Sequence, residues 1–300
     1  MKNLIKLLDL SGEEIIEILN LADQLKYELK HNIPHRKLEG KSLGMIFREV
    51  STRTRVSFET GIYQLGGIAL YLSADALQLE RGEPVCDTSR TLSRYLDGVM
   101  MRTYSHEEIE AFAEYSSVPV INGLTDLSHP CQVLADLMTV REFKQQFNGL
   151  KMCYIGDGNN MANSLIVGGL KVGMDVSAAC PKGYEPHKDV LEFAGKYDNF
   201  ILTDDPLKAA ENADVLFTDS WYPMVMSDKA EERRKIFADY RIDDKILSAA
   251  AEGVMIQHCL PARKGEEITA EIFEAHADEI FEEAENRLHA QKAVMLKLMS

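Results

Sequence analysis

A short run of arginines and hydroxyl residues marks one place in this 300-residue chain. The segment Ser51-Thr52-Arg53-Thr54-Arg55 comes where an apolar run ends and a helical pattern begins. The start of a helix presents N–H groups without intrahelical partners and a positive dipole end, which together hold phosphate well. Arginine adds bidentate, permanently charged hydrogen bonds to phosphate oxygens. The segment therefore predicts an anion site, although a polar helix cap with surface arginines would give the same pattern.

Further polar residues follow two other apolar runs in the first half of the chain. Arg102 comes after the run at 98–101, and His129 and Gln132 come after the run at 119–123. If these runs are neighbouring parallel strands, their carboxyl ends lie at one edge of a sheet, where ligands bind in such folds. The combination favours an anion site over a plain helix cap.

The second half of the chain places a different chemistry after its apolar runs. Carboxylates are found at Asp157 and Asp219, an amide at Asn160 and a thiol at Cys259. This set suits a cationic or amine-bearing ligand, although a lone buried cysteine is more often a core residue. The segment "GDGNN" lacks the GxGxxG spacing, so a dehydrogenase with a nicotinamide cofactor is not favoured.

The residues above depend on strands that alternate with helices. Strands are predicted at 42–47, 68–73, 98–101, 119–123, 152–156, 175–179, 215–218 and 254–258. Helices are predicted between them, the first announced by the capping box of Ser11 and Glu14. The alternation predicts an α/β protein with two doubly wound parallel-sheet domains and helices on both faces.

Composition excludes several classes of function. The formal net charge of −15 and the sequence pI of about 5.0 argue against nucleic acid as a partner. No apolar run approaches the ~20 residues that a membrane-spanning helix needs. Five scattered cysteines without CxxC pairs argue against a disulfide framework and a zinc site, and they indicate a reducing cytoplasm.

Six motifs give the chain a family resemblance. The segments "STRTR", "MRT", "HPCQ", "GDGNN…SL", "HCLP" and "EAENR" occur in an order and spacing that resemble those of the aspartate/ornithine carbamoyltransferase family. The likeness runs over essentially the whole chain, and "GDGNN" and "HCLP" point to the ornithine branch.

The resemblance implies a domain organisation and an activity. It implies a carbamoyl-phosphate-binding domain at 1–135, joined by a C-terminal helix at 283–300 that packs back on it, and an ornithine-binding domain at 136–282. The implied reaction transfers the carbamoyl group of carbamoyl phosphate to the δ-amine of L-ornithine. No metal or organic cofactor is implied. The family organisation implies a homotrimer with active sites shared between subunits.

The resemblance also assigns roles to residues by matched motif. The implied carbamoyl-phosphate residues are Ser51, Thr52, Arg53, Thr54, Gln78, Arg102, His129, Gln132, Cys259, Leu260 and Arg287. The implied ornithine residues are Asn160, Asp219 and Met224. Arg102, His129, Cys259 and Asp219 are the implied catalytic residues. Gln78 lies where the family sends a loop into the neighbouring subunit's site.

One segment departs from the pattern of the ornithine branch. Where that branch has D-x-x-x-S-M-G, this chain has Pro223 in place of the serine and Val225 in place of the glycine. Proline offers neither a hydroxyl nor a backbone N–H, and valine disfavours positive φ. Ornithine is still favoured, with putrescine, lysine or an N-modified ornithine as alternative amines. A non-catalytic paralogue that only binds metabolites is a more remote alternative.

Overall fold

A computed structural model describes residues 1–222 and 230–300 of the chain. These residues form two compact units. The first contains Met1–Met138 and Glu285–Ser300, and the second contains Thr139–Ala284. Each unit is built on its own parallel sheet, which confirms the predicted α/β class.

The first unit has a four-stranded parallel sheet. Its strands are β1 (Ser42–Phe47), β2 (Ile68–Ser73), β3 (Gly98–Arg102) and β4 (Val120–Leu124), in the order β2-β1-β3-β4. Its helices are α1 (Gly12–Lys30), α2 (Thr52–Gln64), α3 (Val85–Leu92) and α4 (His106–Tyr115), followed by α5 (Pro130–Lys144), which runs on into the second unit. The central strands are almost entirely buried, as their continuous apolar sequences predict.

Side-chain caps fix where two helices of this unit begin. Ser11 and Glu14 form the predicted capping box at the start of α1. Ser51 caps α2, because its Oγ accepts a hydrogen bond from the Thr54 N–H at 3.2 Å. The cap directs the first turn of α2 to the carboxyl end of β1, where the anion site is predicted.

The second unit has a five-stranded parallel sheet. Its strands are β5 (Lys151–Ile155), β6 (Asp175–Ala179), β7 (Phe200–Thr203), β8 (Val215–Thr218) and β9 (Met255–His258), in the order β7-β6-β5-β8-β9. Its helices are α6 (Asn160–Lys171), α7 (Lys188–Ala194), α8 (Pro206–Ala210), α9 (Ala230–Ile236), α10 (Asp244–Ala249) and α11 (Ala270–Ala275). Residues of α12 (Ala277–Met299) belong to the second unit up to Ala284 and to the first unit from Glu285.

Strand β7 was not among the predicted strands. It is an edge strand of four residues, "FILT", and all four side chains are at least partly exposed. A strand this short and open has neither the long apolar run of a buried strand nor the alternation of a half-buried one. The sequence pattern therefore predicted four strands in a sheet that has five.

The C-terminal helix packs on the first unit, as predicted. Gly61 of α2 lets the two helices approach, since a Cβ there would come within 2.9 Å of the Met295 side chain. Polar contacts add to this packing: Lys26 Nζ donates to Asn286 Oδ1 at 2.7 Å, and Lys292 Nζ donates to Gln64 Oε1 at 2.9 Å. Burial lowers the pKa of Lys292 to about 8.

A helix must be both long and largely apolar to cross a bilayer. Across residues 1–222 and 230–300, none is both long and apolar enough to cross a membrane.

Candidate active site

The first turn of α2 carries the predicted anion-binding segment. Ser51 is the N-cap, and Thr52, Arg53 and Thr54 are the first three helical residues. The N–H groups at such a start have no intrahelical carbonyl, and the helix dipole adds a partial positive charge. The segment can be both a helix cap and an anion site, because Ser51, which caps the helix, also orients its first turn.

Two buried arginines converge on the Thr54 hydroxyl. Arg287 Nη2 donates to Thr54 Oγ1 at 3.1 Å, and Arg102 Nη1 lies 3.5 Å from the same oxygen. Arg287 Nη1 also donates to Gln132 Oε1 at 2.5 Å, and Gln132 Nε2 donates to Asp136 Oδ1 at 2.8 Å. Arg102 is the last residue of β3 and not, as predicted, the first residue after the strand.

The positive charge of this cluster affects the pKa of His129. Burial, together with the guanidinium groups of Arg287, Arg102 and Arg53, holds the pKa of His129 well below its usual range. His129 is therefore a neutral imidazole at pH 7. The same positive field that opposes a proton on this ring favours an anion, so the cluster is chemically suited to a phosphate-bearing ligand.

The second unit orients a carboxylate at Asp219, just after β8. Its Oδ1 accepts from the Ser220 N–H at 2.7 Å and from Cys259 Sγ at 3.1 Å. Its Oδ2 accepts from Asn159 Nδ2 at 2.8 Å. Asn160 is the first residue of α6. The second unit thus combines an oriented carboxylate with a thiol, a set suited to an amine.

The loop after β9 carries Leu260 in an uncommon conformation. Its φ of 57° is in the left-handed region, which non-glycine residues seldom adopt. The Leu260 N–H donates to His258 Nδ1 at 2.9 Å, so the ring proton of His258 lies on Nε2, 3.2 Å from Glu267 Oε1. Both His258 and Glu267 are fully buried. This pair holds the loop that contains Cys259.

Arg233 joins two segments of the second unit. Its guanidinium contacts the Asp157 carboxylate and the Trp221 carbonyl, and it lies 4.8 Å from the centroid of the Tyr184 ring. Burial raises the pKa of Asp157, and the charge of Arg233 opposes that shift. Trp221 is buried against Phe237, with the ring centroids 6.0 Å apart, which is a packing role.

The described structure brings most of the predicted site residues into two groups. One group in the first unit contains Ser51, Thr52, Arg53, Thr54, Arg102, His129, Gln132 and Arg287. The other, in the second unit, contains Asn160, Asp219, Cys259 and Leu260. Gln78 is exposed in a short 3₁₀ helix, Gln78–Arg81. Met224, Pro223 and Val225 lie outside the described residues.

Sequence reasoning gave no role to two polar residues beside these groups. Asn159 bonds the Asp219 carboxylate, and its position just before a helix was the available signal. Gln291 lies four residues after Arg287 on α12, the spacing that puts two side chains on one helix face. With its amide nitrogen donating to Ser57 Oγ at 2.5 Å, its oxygen accepts from Arg287 Nη2 at 2.9 Å and Nε at 3.1 Å.

Comparison with known proteins places both halves of the chain. Residues 2–142 match the model of the aspartate/ornithine carbamoyltransferase, carbamoyl-P binding domain. Residues 148–298 match the model of the aspartate/ornithine carbamoyltransferase, Asp/Orn binding domain. The chain belongs to the aspartate/ornithine carbamoyltransferase family. The resemblance inferred from the six motifs is therefore confirmed.

Relatives within this family lie on the ornithine side. An ornithine carbamoyltransferase of Carboxydothermus hydrogenoformans is 50% identical, over 97% of this chain and 95% of its own. A solved ornithine carbamoyltransferase from Pyrococcus furiosus has a TM-score of 0.95 and 48% identity, covering 99% of this chain and 97% of its own. A solved anabolic ornithine carbamoyltransferase from Campylobacter jejuni has a TM-score of 0.94 and 44% identity, covering 99% of both chains.

Proposed function

We propose that this protein transfers the carbamoyl group of carbamoyl phosphate to the δ-amine of L-ornithine, giving citrulline and phosphate. The observation that carries the proposal is the cluster of three guanidinium groups around neutral His129 at the start of α2. An anion with several acceptor oxygens satisfies such a cluster. The names of the relatives supply the second substrate, and the Asp219–Cys259 pair supplies groups suited to its amine.

The proposed chemistry assigns a role to each group of residues. Ser51, Thr52, Arg53, Thr54 and Arg287 hold the phosphate. Arg102, His129 and Gln132 hold the carbamoyl group, whose oxygen becomes an oxyanion when the amine attacks; preorganised donors at such an atom often dominate catalysis. Cys259 and Leu260 are proposed to complete the carbamoyl-phosphate site.

Binding and activation of the amine are proposed for the second unit. Asn160, Asp219 and Met224 bind ornithine, and Asp219 with Cys259 orients the δ-amine and takes part in removing its proton. The neutral nitrogen then attacks the carbamoyl carbon, which forms the C–N bond and a tetrahedral oxyanion. This intermediate collapses as the C–O bond to phosphate breaks, and the proton that the bonded nitrogen must lose passes to the departing phosphate. Accordingly, we assign residues 1–135 with 283–300 to carbamoyl phosphate and 136–282 to ornithine.

A homotrimer is the proposed assembly, with active sites shared between subunits and Gln78 reaching the neighbouring site. The support is a set of exposed apolar residues on α2, on the edge strand β2 and just before α2, each 38% to 78% exposed, which a second copy could cover. Its members are Val50, Val56, Tyr63, Ile68, Leu70 and Tyr71. Light scattering should give three times the 33.7 kDa chain mass.

The cellular setting is also a proposal. All five cysteines are free thiols, as suits the reducing cytoplasm. The anabolic naming of the Campylobacter jejuni relative supports a role in arginine biosynthesis. No nucleic-acid or membrane partner is part of the proposal.

Phosphate release from carbamoyl phosphate tests the proposed activity and its amine together. The assay compares L-ornithine with putrescine, L-lysine, N-acetyl-ornithine and N-succinyl-ornithine, after subtraction of the rate without protein. We expect fast release with L-ornithine alone. Preference for another amine would mean that Pro223 and Val225, which replace the serine and glycine of the ornithine branch, accompany a change of substrate. Release with none of them would favour the metabolite-binding paralogue.

A further inference from the structure

We propose that Asn159 is a positioning residue that sets the orientation of the Asp219 carboxylate for the amine substrate. This inference rests on the proposed function, because it assigns a role in the same reaction. Asn159 is the N-cap of α6 and lies one residue before Asn160, the residue that the family motif assigns to ornithine.

The amide of Asn159 can have only one orientation. Its Oδ1 accepts from the Met161 N–H at 2.9 Å and from the Ala162 N–H at 3.2 Å. A rotated amide would turn its NH₂ group against these two donors and its oxygen against Asp219. The cap therefore forces Nδ2 toward Asp219 Oδ2, which it meets at 2.8 Å.

The contact crosses the point where the sheet order reverses. Strand β5 stands between β6 and β8, and Asn159 follows β5 while Asp219 follows β8. In open parallel sheets this point is where ligands bind. One side chain thus couples the start of α6, which carries Asn160, to the carboxylate at the end of the adjacent strand.

Among the described residues, Asn159 is the contact that fixes the second carboxylate oxygen of Asp219. Oδ1 is held by the Ser220 N–H and by Cys259 Sγ, whereas Asn159 holds Oδ2. Without the amide donor, the carboxylate could rotate about its Cβ–Cγ bond. Its geometry relative to Cys259 would then be lost, and with it the alignment of the attacking amine.

The test uses substitutions that keep the helix cap. Asn159→Asp retains an oxygen that can cap α6, as Asp205 and Asp243 cap other helices of this unit, but it removes the donor to Asp219. We expect kcat/KM for L-ornithine to fall at least roughly tenfold, because the substitution removes one charge-assisted hydrogen bond and also places a second carboxylate against Asp219. The KM for carbamoyl phosphate should stay within about twofold, since the anion-binding cluster lies on other residues.

Asp243→Asn is the matched control. Asp243 Oδ1 accepts from the Lys245 N–H at 3.0 Å and the Ile246 N–H at 3.1 Å, the same cap geometry as that of Asn159. This control should leave both kinetic constants unchanged. An Asn159→Asp enzyme with unchanged kcat/KM for L-ornithine, or with equal losses for both substrates, would overturn the positioning role.

An exchanged pair gives a readout that does not depend on turnover. Asn159→Asp and Asp219→Asn should each lower the urea midpoint of unfolding. Combining them restores one donor and one carboxylate across the same gap, so the midpoint should recover while kcat stays low. A midpoint that falls additively would refute the contact even if the wild-type protein proved inactive with L-ornithine. Wild-type inactivity alone would refute only the proposed function.

Discussion

Arg287 gives the sharpest prediction about the anion site, because it acts there by both charge and geometry. Its side chain is 2% exposed and donates to Thr54 Oγ1 and to Gln132 Oε1. Among the charges that lower the pKa of His129, it makes the largest contribution. Two substitutions separate these effects. Arg287→Met removes both the positive charge and the planar set of guanidinium donors, whereas Arg287→Lys keeps only the charge.

The two variants should differ in a defined way. A charge-assisted hydrogen bond contributes about 1.5 to 3 kcal/mol, and about 1.4 kcal/mol corresponds to tenfold in affinity. Arg287→Met should therefore raise KM for carbamoyl phosphate roughly 10- to 150-fold. Arg287→Lys should also raise this KM, since an ammonium cannot reproduce the planar fork.

The pKa of His129 separates the effects of charge and geometry. Removing a positive neighbour favours the protonated ring, so the pKa of His129 should rise toward its ordinary value in Arg287→Met. It should stay low in Arg287→Lys, which retains the charge. NMR titration of the imidazole measures both, with circular dichroism to establish that each variant is folded. Wild-type KM in Arg287→Met, or identical His129 titration in the two variants, would refute the reasoning.

Three further predictions concern other side chains. Arg53→Ala should abolish phosphate release without unfolding the protein, whereas Arg55→Ala, which removes an exposed arginine of the same turn, should leave turnover near normal. Gln291→Leu should raise KM for carbamoyl phosphate roughly two- to tenfold by freeing Arg287, and an unchanged KM would contradict this. Burial and nearby lysine charges lower the pKa of His289 to about 3. Below pH 6.5 this histidine therefore binds a proton in the unfolded chain but stays neutral in the native protein, which favours unfolding. Stability should thus fall by about 2 kcal/mol from this residue between pH 7 and pH 5, and urea unfolding of His289→Gln should lack that part of the loss.

The alternation of apolar runs and helical patterns was enough to predict the fold class. Eight of the nine strands among the described residues lie where the pattern placed them, because buried parallel strands have continuous apolar sequences. The exception is β7, whose edge position leaves its side chains half exposed. The edge strand β2 is similarly exposed but was predicted, so the four-residue length of β7 is what weakened its signal.

The site was predictable by residue type, but its internal contacts were not. Thr54, Arg102 and His129 were predicted together because the carboxyl ends of parallel strands share one edge. The bond from Asn159 to Asp219 spans 60 residues and depends on β5 lying beside β8, an order that no local pattern encodes. The contact of Arg287 with Thr54 likewise depends on α12 packing against the first unit.

The central claim is transfer of one carbamoyl group to the δ-nitrogen of L-ornithine. It is tested most directly with carbamoyl phosphate labelled with carbon-13 at the carbonyl, supplied with L-ornithine and the purified protein. We predict that the label enters the ureido carbon of citrulline, with one phosphate released for each citrulline formed. Phosphate release without labelled citrulline, or label in the product of another amine only, would contradict the account.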